Sequence, residues 1–352
     1  MQRSRLLLLT LVAALAAPTA WSAPSTESKR PASDRVHVAG SDAGRSGEAS
    51  ITSFDVPARQ AKKVKAFWTS QRMRAAKPVH ATAEAAIFHS SAPPDRGVPW
   101  STEGTPPSGA SRTEAVTLFG SSGENEEYYW PLDQYDSAPA TTEGKVFFRL
   151  PSGIHVCSAT VVKSRNRSLV WTAGHCVYDG EKWAKWMMFC PAYLDGNCPY
   201  GKWVPRLMYT TSAWFDKENF AYDVGAVVMP RHHGDRIVDV VGAQGIAFNR
   251  SRYLYWNAIG YPAAPPFDGE RLYVCEDTTR GLYDNPRPGP FQVMIDCTMT
   301  PGSSGGGWLI RPDAAGYGYV NSVTSQGIVA APILLGTYHG TVAQDLYRVA
   351  GS

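Results

Sequence analysis

From Lys145 onward the chain is a succession of short β-prone runs cut by Gly, Pro, Asn and Asp. Residues 145–150, 157–162, 169–172, 224–229, 253–259, 271–274, 292–296, 308–310 and 317–323 read as strands, because β-branched and aromatic residues in runs this short are bounded by turn formers. A long amphipathic helix is absent until 340–350, where Val342, Leu346, Val349 and Ala350 fit one packing face. Many short strands without interleaved helices predict an all-β sandwich or barrel. The parallel sheets of alternating βα units are excluded on the same ground.

The upstream third has a different composition. Arg3 and Arg5, an apolar run from Leu6 to Ala17 and small residues up to Ala23 predict a signal peptide over 1–23. That run is too short to cross a bilayer, and no later one approaches the ~20 residues required. Residues 24–125 are rich in Ser, Ala, Pro, Thr and Gly, and read as a poorly structured pro-segment and linker. One island within it carries Arg59, Lys62, Lys63, Lys65, Arg72, Arg74 and Lys77 without an acidic residue, and predicts a basic helix near 57–77. Residues 126–352 form the expected catalytic domain. The net charge of +3 divides unevenly: 19 basic and 22 acidic residues lie from position 124 onward, 15 and 9 before it. The basic excess belongs to the leader and argues for no nucleic-acid partner. All six cysteines lie between 157 and 297, an even count in a chain with an export signal, so disulfides are expected. Six cysteines allow 15 connectivities; sequence order favours Cys157–Cys176, Cys190–Cys198 and Cys275–Cys297. With no C-x-x-C spacing, no metal site and no cofactor are expected.

Chemistry is concentrated at Thr300-Pro301-Gly302-Ser303-Ser304-Gly305-Gly306-Gly307-Trp308. Glycines bracket the serine where another molecule must approach closely. The backbone N–H groups of Gly302 and Ser304 can aim into one small space, an oxyanion hole for acyl transfer. A serine hydroxyl is a weak nucleophile and needs a histidine base, itself oriented by a carboxylate. Thr172-Ala173-Gly174-His175-Cys176 and Tyr222-Asp223-Val224-Gly225 supply them, in the order His175, Asp223, Ser304.

These three motifs in this order resemble those of the chymotrypsin-like (trypsin-fold) serine peptidases. The resemblance covers roughly 140–350. It implies two six-stranded antiparallel β-barrels with a short C-terminal helix and the catalytic groups between them. His175 and Asp223 then come from the first barrel and Ser304 from the second. The implied activity is that of a secreted, extracellular serine endopeptidase acting on peptides or proteins, and we expect a monomer. Ala258-Ile259-Gly260-Tyr261-Pro262 resembles a turn of the bacterial glutamyl-endopeptidase branch. Val64-x-x-Phe67-Trp68-Thr69-x-x-Arg72-Met73 resembles upstream segments of secreted actinobacterial members, which implies an intramolecular pro-segment. The resemblance puts Thr298 on the floor of the substrate pocket, and Thr324 and Ser325 on the strand that pairs with substrate backbone.

The chain also departs from the family. Ser303 stands where animal members have aspartate, and 145–148 lack the Ile-Val-Gly-Gly start, so maturation through that ion pair is not expected. Thr298 is neutral, which removes the carboxylate used for Lys or Arg specificity. Val323 aligns with the histidine of glutamate-specific members, which removes that preference. Two rival readings remain. Gly302-x-Ser304-x-Gly306 followed by Asp313 and His339 fits the motif order of an α/β-hydrolase. A catalytically silent binding protein on a peptidase fold is the other. His155 and His339 are expected in packing or surface roles, and His232-His233 in a surface loop.

Overall fold

Runs with apolar residues on one face curl the second half of the chain into two mostly antiparallel sheets. The computed structural model describes residues 50–79, 81–83, 88–89, 97–110, 125–328 and 331–352. The expected signal peptide over 1–23 lies outside the described residues, as do 24–49 and 111–124 of the expected linker. Upstream elements are β1 (Ile51–Asp55), α1 (Ala61–Phe67), α2 (Ser70–Ala75), β2 (Lys77–Pro78), β3 (Thr82–Ala83), β4 (Phe88–His89), β5 (Trp100–Thr102) and β6 (Glu126–Tyr129). Then follow β7 (Glu143–Leu150), β8 (Gly153–Val162), β9 (Leu169–Thr172), α3 (Gly174–Val177), β10 (Lys185–Pro191), β11 (Leu207–Thr211), α4 (Ser212–Lys217) and β12 (Gly225–Val228). The remainder is α5 (Ile237–Val241), β13 (Gly245–Phe248), β14 (Tyr255–Gly260), β15 (Tyr273–Thr278), β16 (Gly281–Tyr283), β17 (Gln292–Asp296), β18 (Gly307–Ile310), β19 (Tyr319–Ile328), β20 (Ile333–Gly336) and α6 (Thr341–Ala350).

The first sheet runs β1-β11-β12-β9-β8-β7-β10, so its centre is the six strands β7 to β12. The second runs β4-β16-β17-β20-β19-β18-β14-β15-β6, around the six strands β14, β15 and β17 to β20. The all-β class and the short C-terminal helix are as expected. α6 buries Ala343, Leu346, Tyr347 and Ala350, while Val342 and Val349 are only partly covered. Tyr347 sets this rotation, because its hydroxyl donates to the Lys163 carbonyl at 2.8 Å.

Strands from before residue 126 extend both sheets. β1 pairs with β11 over five residues, β5 pairs with β13, and β4 pairs with β16. The expected single basic helix is two helices. Trp68 leaves the helical path at φ −80°, ψ 78°, and is wholly buried with its indole N–H donating to the Trp186 carbonyl at 2.7 Å. Thr69 then caps α2 by accepting from the Arg72 N–H. Val64, Trp68 and Met73 face inward, while Lys62, Lys63, Arg72 and Arg74 stay exposed.

The disulfides are Cys157–Cys176, Cys190–Cys198 and Cys275–Cys297, closing separations of 19, 8 and 22 residues. In the chain-entropy account each of the two longer links stabilises by about 3 kcal/mol.

Glu143 at the start of β7 is fully buried and accepts the Thr160 hydroxyl at 2.8 and 2.9 Å. Burial pushes its carboxyl well above the ordinary range, partly offset by the Thr160 and Gly307 hydrogen bonds. A carboxyl raised in the fold contributes stability that is full below its unfolded pKa and lost as pH rises through the folded value. Glu143→Gln therefore melts close to wild type near pH 4 and above it at pH 8. Each kcal/mol of relief is worth about 2–4 °C. Melting curves at the two pH values check this; an equal shift at both would refute it.

Candidate active site

β9 and β12 lie side by side with Thr172 opposite Gly225. The residues just outside that pairing, His175 on α3 and Asp223 ahead of β12, are therefore neighbours. His175 Nδ1 lies 2.8 Å from Asp223 Oδ2, and the His175 backbone N–H donates to Oδ1 at 2.8 Å. The Ser325 hydroxyl donates to Oδ2 at 2.6 Å. The Asp223 carbonyl accepts from Thr337 Oγ1 at 3.1 Å. Asp223 is fully buried and His175 only 4% exposed. An ionised carboxylate offers acceptors only, so Nδ1 carries the proton and Nε2 is left with its lone pair. Nε2 is buried and, among the described residues, makes no hydrogen bond to Ser304 or to any other group. The Trp214 ring stands edge-on to the imidazole at 6.1 Å, and its indole donates to the Tyr178 carbonyl.

Ser304 sits in the turn ahead of β18, 5% exposed. Gly305 has φ +80°, and a Cβ there would fall 2.1 Å from Thr172 Oγ1 and 2.8 Å from the Ala173 nitrogen. The serine turn thus lies against the end of β9, one residue short of α3. Ser158 on β8 fastens the turn from the other side: its N–H donates to the Ser304 carbonyl at 2.7 Å and its hydroxyl to the Gly302 carbonyl at 2.9 Å. Gly302 has φ +110°. The Pro301 carbonyl accepts from the Ala263 N–H at 2.8 Å and the Ser303 carbonyl from the Gly306 N–H at 2.9 Å. In a trans peptide the N–H points opposite its carbonyl. The N–H groups of Gly302 and Ser304 are therefore turned away from Ala263 and Gly306 respectively.

A pocket of about 170 Å³ opens beside Ser304, with Thr298, Thr300, Thr324, Gln326, Ile328 and Ile333 among its walls. Among the described residues, no charged side chain lines it. Thr298 is on this wall, with its N–H and hydroxyl both donating to Glu127. Thr324 also lines it, but its backbone is engaged by the serine turn through Gly305 N–H and the Gly306 carbonyl. Its hydroxyl accepts from the Trp308 indole at 2.8 Å. Ser325 was expected on a substrate-facing strand. It lies on β19, and its hydroxyl donates to Asp223, a role for which local sequence carries no signal. Val323 is fully buried in the hydrophobic core rather than at the pocket, because side chains alternate along β19 and Thr324 takes the pocket side.

The hydrolase alternative is not assembled. His339 is buried, its Nε2 accepts from the Trp171 indole at 3.2 Å, and burial holds its pKa down at about 3. Asp313 caps its own turn by accepting from the Ala315 and Tyr317 N–H groups. Among the described residues, groups dense enough to hold a metal ion are Cys157, His175 and Cys176, and Glu127, Cys275 and Cys297. In both, the two sulfurs are bonded to each other, which leaves one ligand apiece. No helix of the described residues is long and apolar enough to cross a membrane.

No family model matches the chain. Over 99 residues, 28% of its length, it is 27% identical to an extracellular metalloprotease of Bacillus subtilis (strain 168), and it spans 31% of that relative. The protease Anisep of Arthrobacter nicotinovorans is 38% identical, with a TM-score of 0.57; the match covers 65% of this chain and 99% of that one. The thermostable serine protease AL20 from an extremophilic microorganism is 37% identical, with a TM-score of 0.55, over 60% of this chain and 97% of that one. A Glu endopeptidase at 15% identity and a TM-score of 0.50 shares the fold, over 65% of this chain and 99% of that one. With two curled sheets, three disulfides and a serine-protease relative matched over nearly its whole length, this chain belongs to the chymotrypsin-like, trypsin-fold serine proteases.

Proposed function

We propose that the protein is a secreted serine endopeptidase with His175, Asp223 and Ser304 as its catalytic residues. The observation that carries this is the Asp223–His175 pair. It fixes the proton on Nδ1 and leaves Nε2 as a buried base without a competing donor. Ser304 Oγ attacks the substrate carbonyl as Nε2 takes its proton. The new C–O bond leaves a negative oxygen facing the Gly302 and Ser304 N–H groups. The imidazolium, stabilised by Asp223, then protonates the leaving nitrogen as the C–N bond breaks. Water repeats the cycle on the acyl-enzyme, with His175 again as base. His175 Nε2 makes no hydrogen bond to Ser304 among the described residues, and catalytic hydrogen bonds of this kind often form only once substrate is bound.

A fluorophosphonate probe tests the reading. It forms a P–O bond to an activated serine and expels fluoride. Expected are a single adduct on Ser304 and loss of peptide turnover, with turnover insensitive to a zinc chelator. No adduct, even on a chain freed of its upstream residues, would mark a silent binding protein; inhibition by the chelator alone would move the chemistry to a metal.

The neutral pocket sets the preference. Burying a charge without a partner costs several kcal/mol, so uncharged side chains fit beside Ser304. Profiling a peptide library should show cleavage after uncharged residues favoured by about tenfold or more over Lys, Arg, Asp and Glu. A dominant basic or acidic preference would contradict this assignment of the pocket.

The residues before 126 act as a pro-segment in this reading. Their support is the pairing of β1 with β11 and the buried Trp68 anchor.

A further inference from the structure

A short upstream stretch crosses from one sheet to the other beside the candidate site. β2 pairs with β8 in parallel, Lys77 opposite His155 and Pro78 opposite Val156. β3 pairs with β19 in parallel, Thr82 opposite Gly327 and Ala83 opposite Ile328. The Gly327 N–H donates to the Ala81 carbonyl at 3.2 Å. Ala81 and Thr82 line the same pocket as Ser304. Ala83 is 5% exposed, packed in one apolar cluster with Ile328 and Ile333. An anchor precedes this crossing: Trp68 is wholly buried, and Lys202 Nζ donates to its carbonyl at 2.5 Å.

Direction along this path decides what such a segment can be. In the mechanism above, the acyl half of a substrate stays on Ser304 and puts its side chain into the pocket walled by β19. The amine half leaves on the side of His175, in the first sheet, which protonates it. A productive chain therefore runs from the second sheet toward the first. From β2 to β3 the chain passes from the first sheet to the second. Reversing a peptide exchanges its carbonyl and amide positions, so the leaving nitrogen no longer faces the acid. We propose that the stretch carrying β2 and β3 (residues 77–79 and 81–83) is an inhibitory strap, bound across the active cleft in the reverse of the substrate direction, so that it blocks access without being cut. This rests on the peptidase reading.

The test uses the full chain. Ala83→Asp buries a charge in the apolar cluster, and Ala83→Pro removes the N–H that the parallel register sets against the Gly327 carbonyl. Both should release the strap, and Ala83→Pro keeps the test open if the first variant misfolds. Fluorophosphonate labelling of Ser304 should be at least about tenfold faster in the variants than in wild type, as expected when a cleft-blocking contact worth more than about 1.4 kcal/mol is removed. A synthetic peptide with the sequence of residues 75–85 should slow labelling of a released variant and be recovered uncut. Equal labelling of wild type and variants overturns the strap and leaves the peptidase reading standing. Recovery of the peptide as two fragments overturns the reversed direction. No labelling of any chain overturns the peptidase reading and, with it, the strap.

Discussion

Ser304→Ala should lower kcat/KM for a peptide substrate by about 10³-fold or more while leaving the melting temperature close to that of wild type. The loss is in rate because the hydroxyl is the only atom removed, and it is the proposed nucleophile. Folding is little affected because the contacts that hold the turn come from the backbone: the Ser304 carbonyl to Ser158, and the Gly305 N–H to the Thr324 carbonyl. Steady-state kinetics with a released chain, alongside a melting curve, check both halves. Retained turnover would remove Ser304 from the mechanism. Lost turnover with a collapsed melting curve would show a structural serine instead.

Asp223→Asn should cost about 10⁴-fold in kcat, a larger effect than the removal of any other carboxylate described here. Three donors converge on this carboxylate: the His175 backbone N–H, the imidazole at Nδ1 and the Ser325 hydroxyl. An amide has one acceptor oxygen and presents an NH₂ where the second oxygen was. If the oxygen keeps the backbone N–H, the NH₂ faces Nδ1 and Ser325, so the imidazole must take the other tautomer. Its Nε2 then carries a proton and cannot accept the one on Ser304. The prediction is a fall in kcat with KM little changed, partly recovered at high pH. A loss confined to KM would place Asp223 in substrate binding instead.

The class of the fold was legible because strand periodicity and turn residues are local. The runs at 169–172 and 292–296 coincide with β9 and β17. β10, rich in Met and Trp, and β11, with little turn punctuation around it, carry weak local signals and take their conformation from neighbouring strands. The upstream third was harder to read for the same reason. β1 to β5 are short and polar, and they exist as strands because edges of the two sheets have backbone groups to satisfy. Composition registers none of that pairing. The break at Trp68 is likewise set by a distant carbonyl, that of Trp186.

By itself the sequence determined the chemical parts: a serine among glycines, a histidine after Thr-Ala-Gly, an aspartate before an apolar strand, and six cysteines whose order suggested their pairing. Those signals are carried by residue type and short spacing, which survive without coordinates. Only the tertiary structure decided that the Ser325 hydroxyl donates to Asp223, that Val323 belongs to the core and Thr324 to the pocket, and that β2 and β3 pair in parallel with β8 and β19. Each of these depends on which face of a strand a side chain takes or which way two strands run. Such relations are set by contacts between segments distant in the chain, where no local pattern reaches.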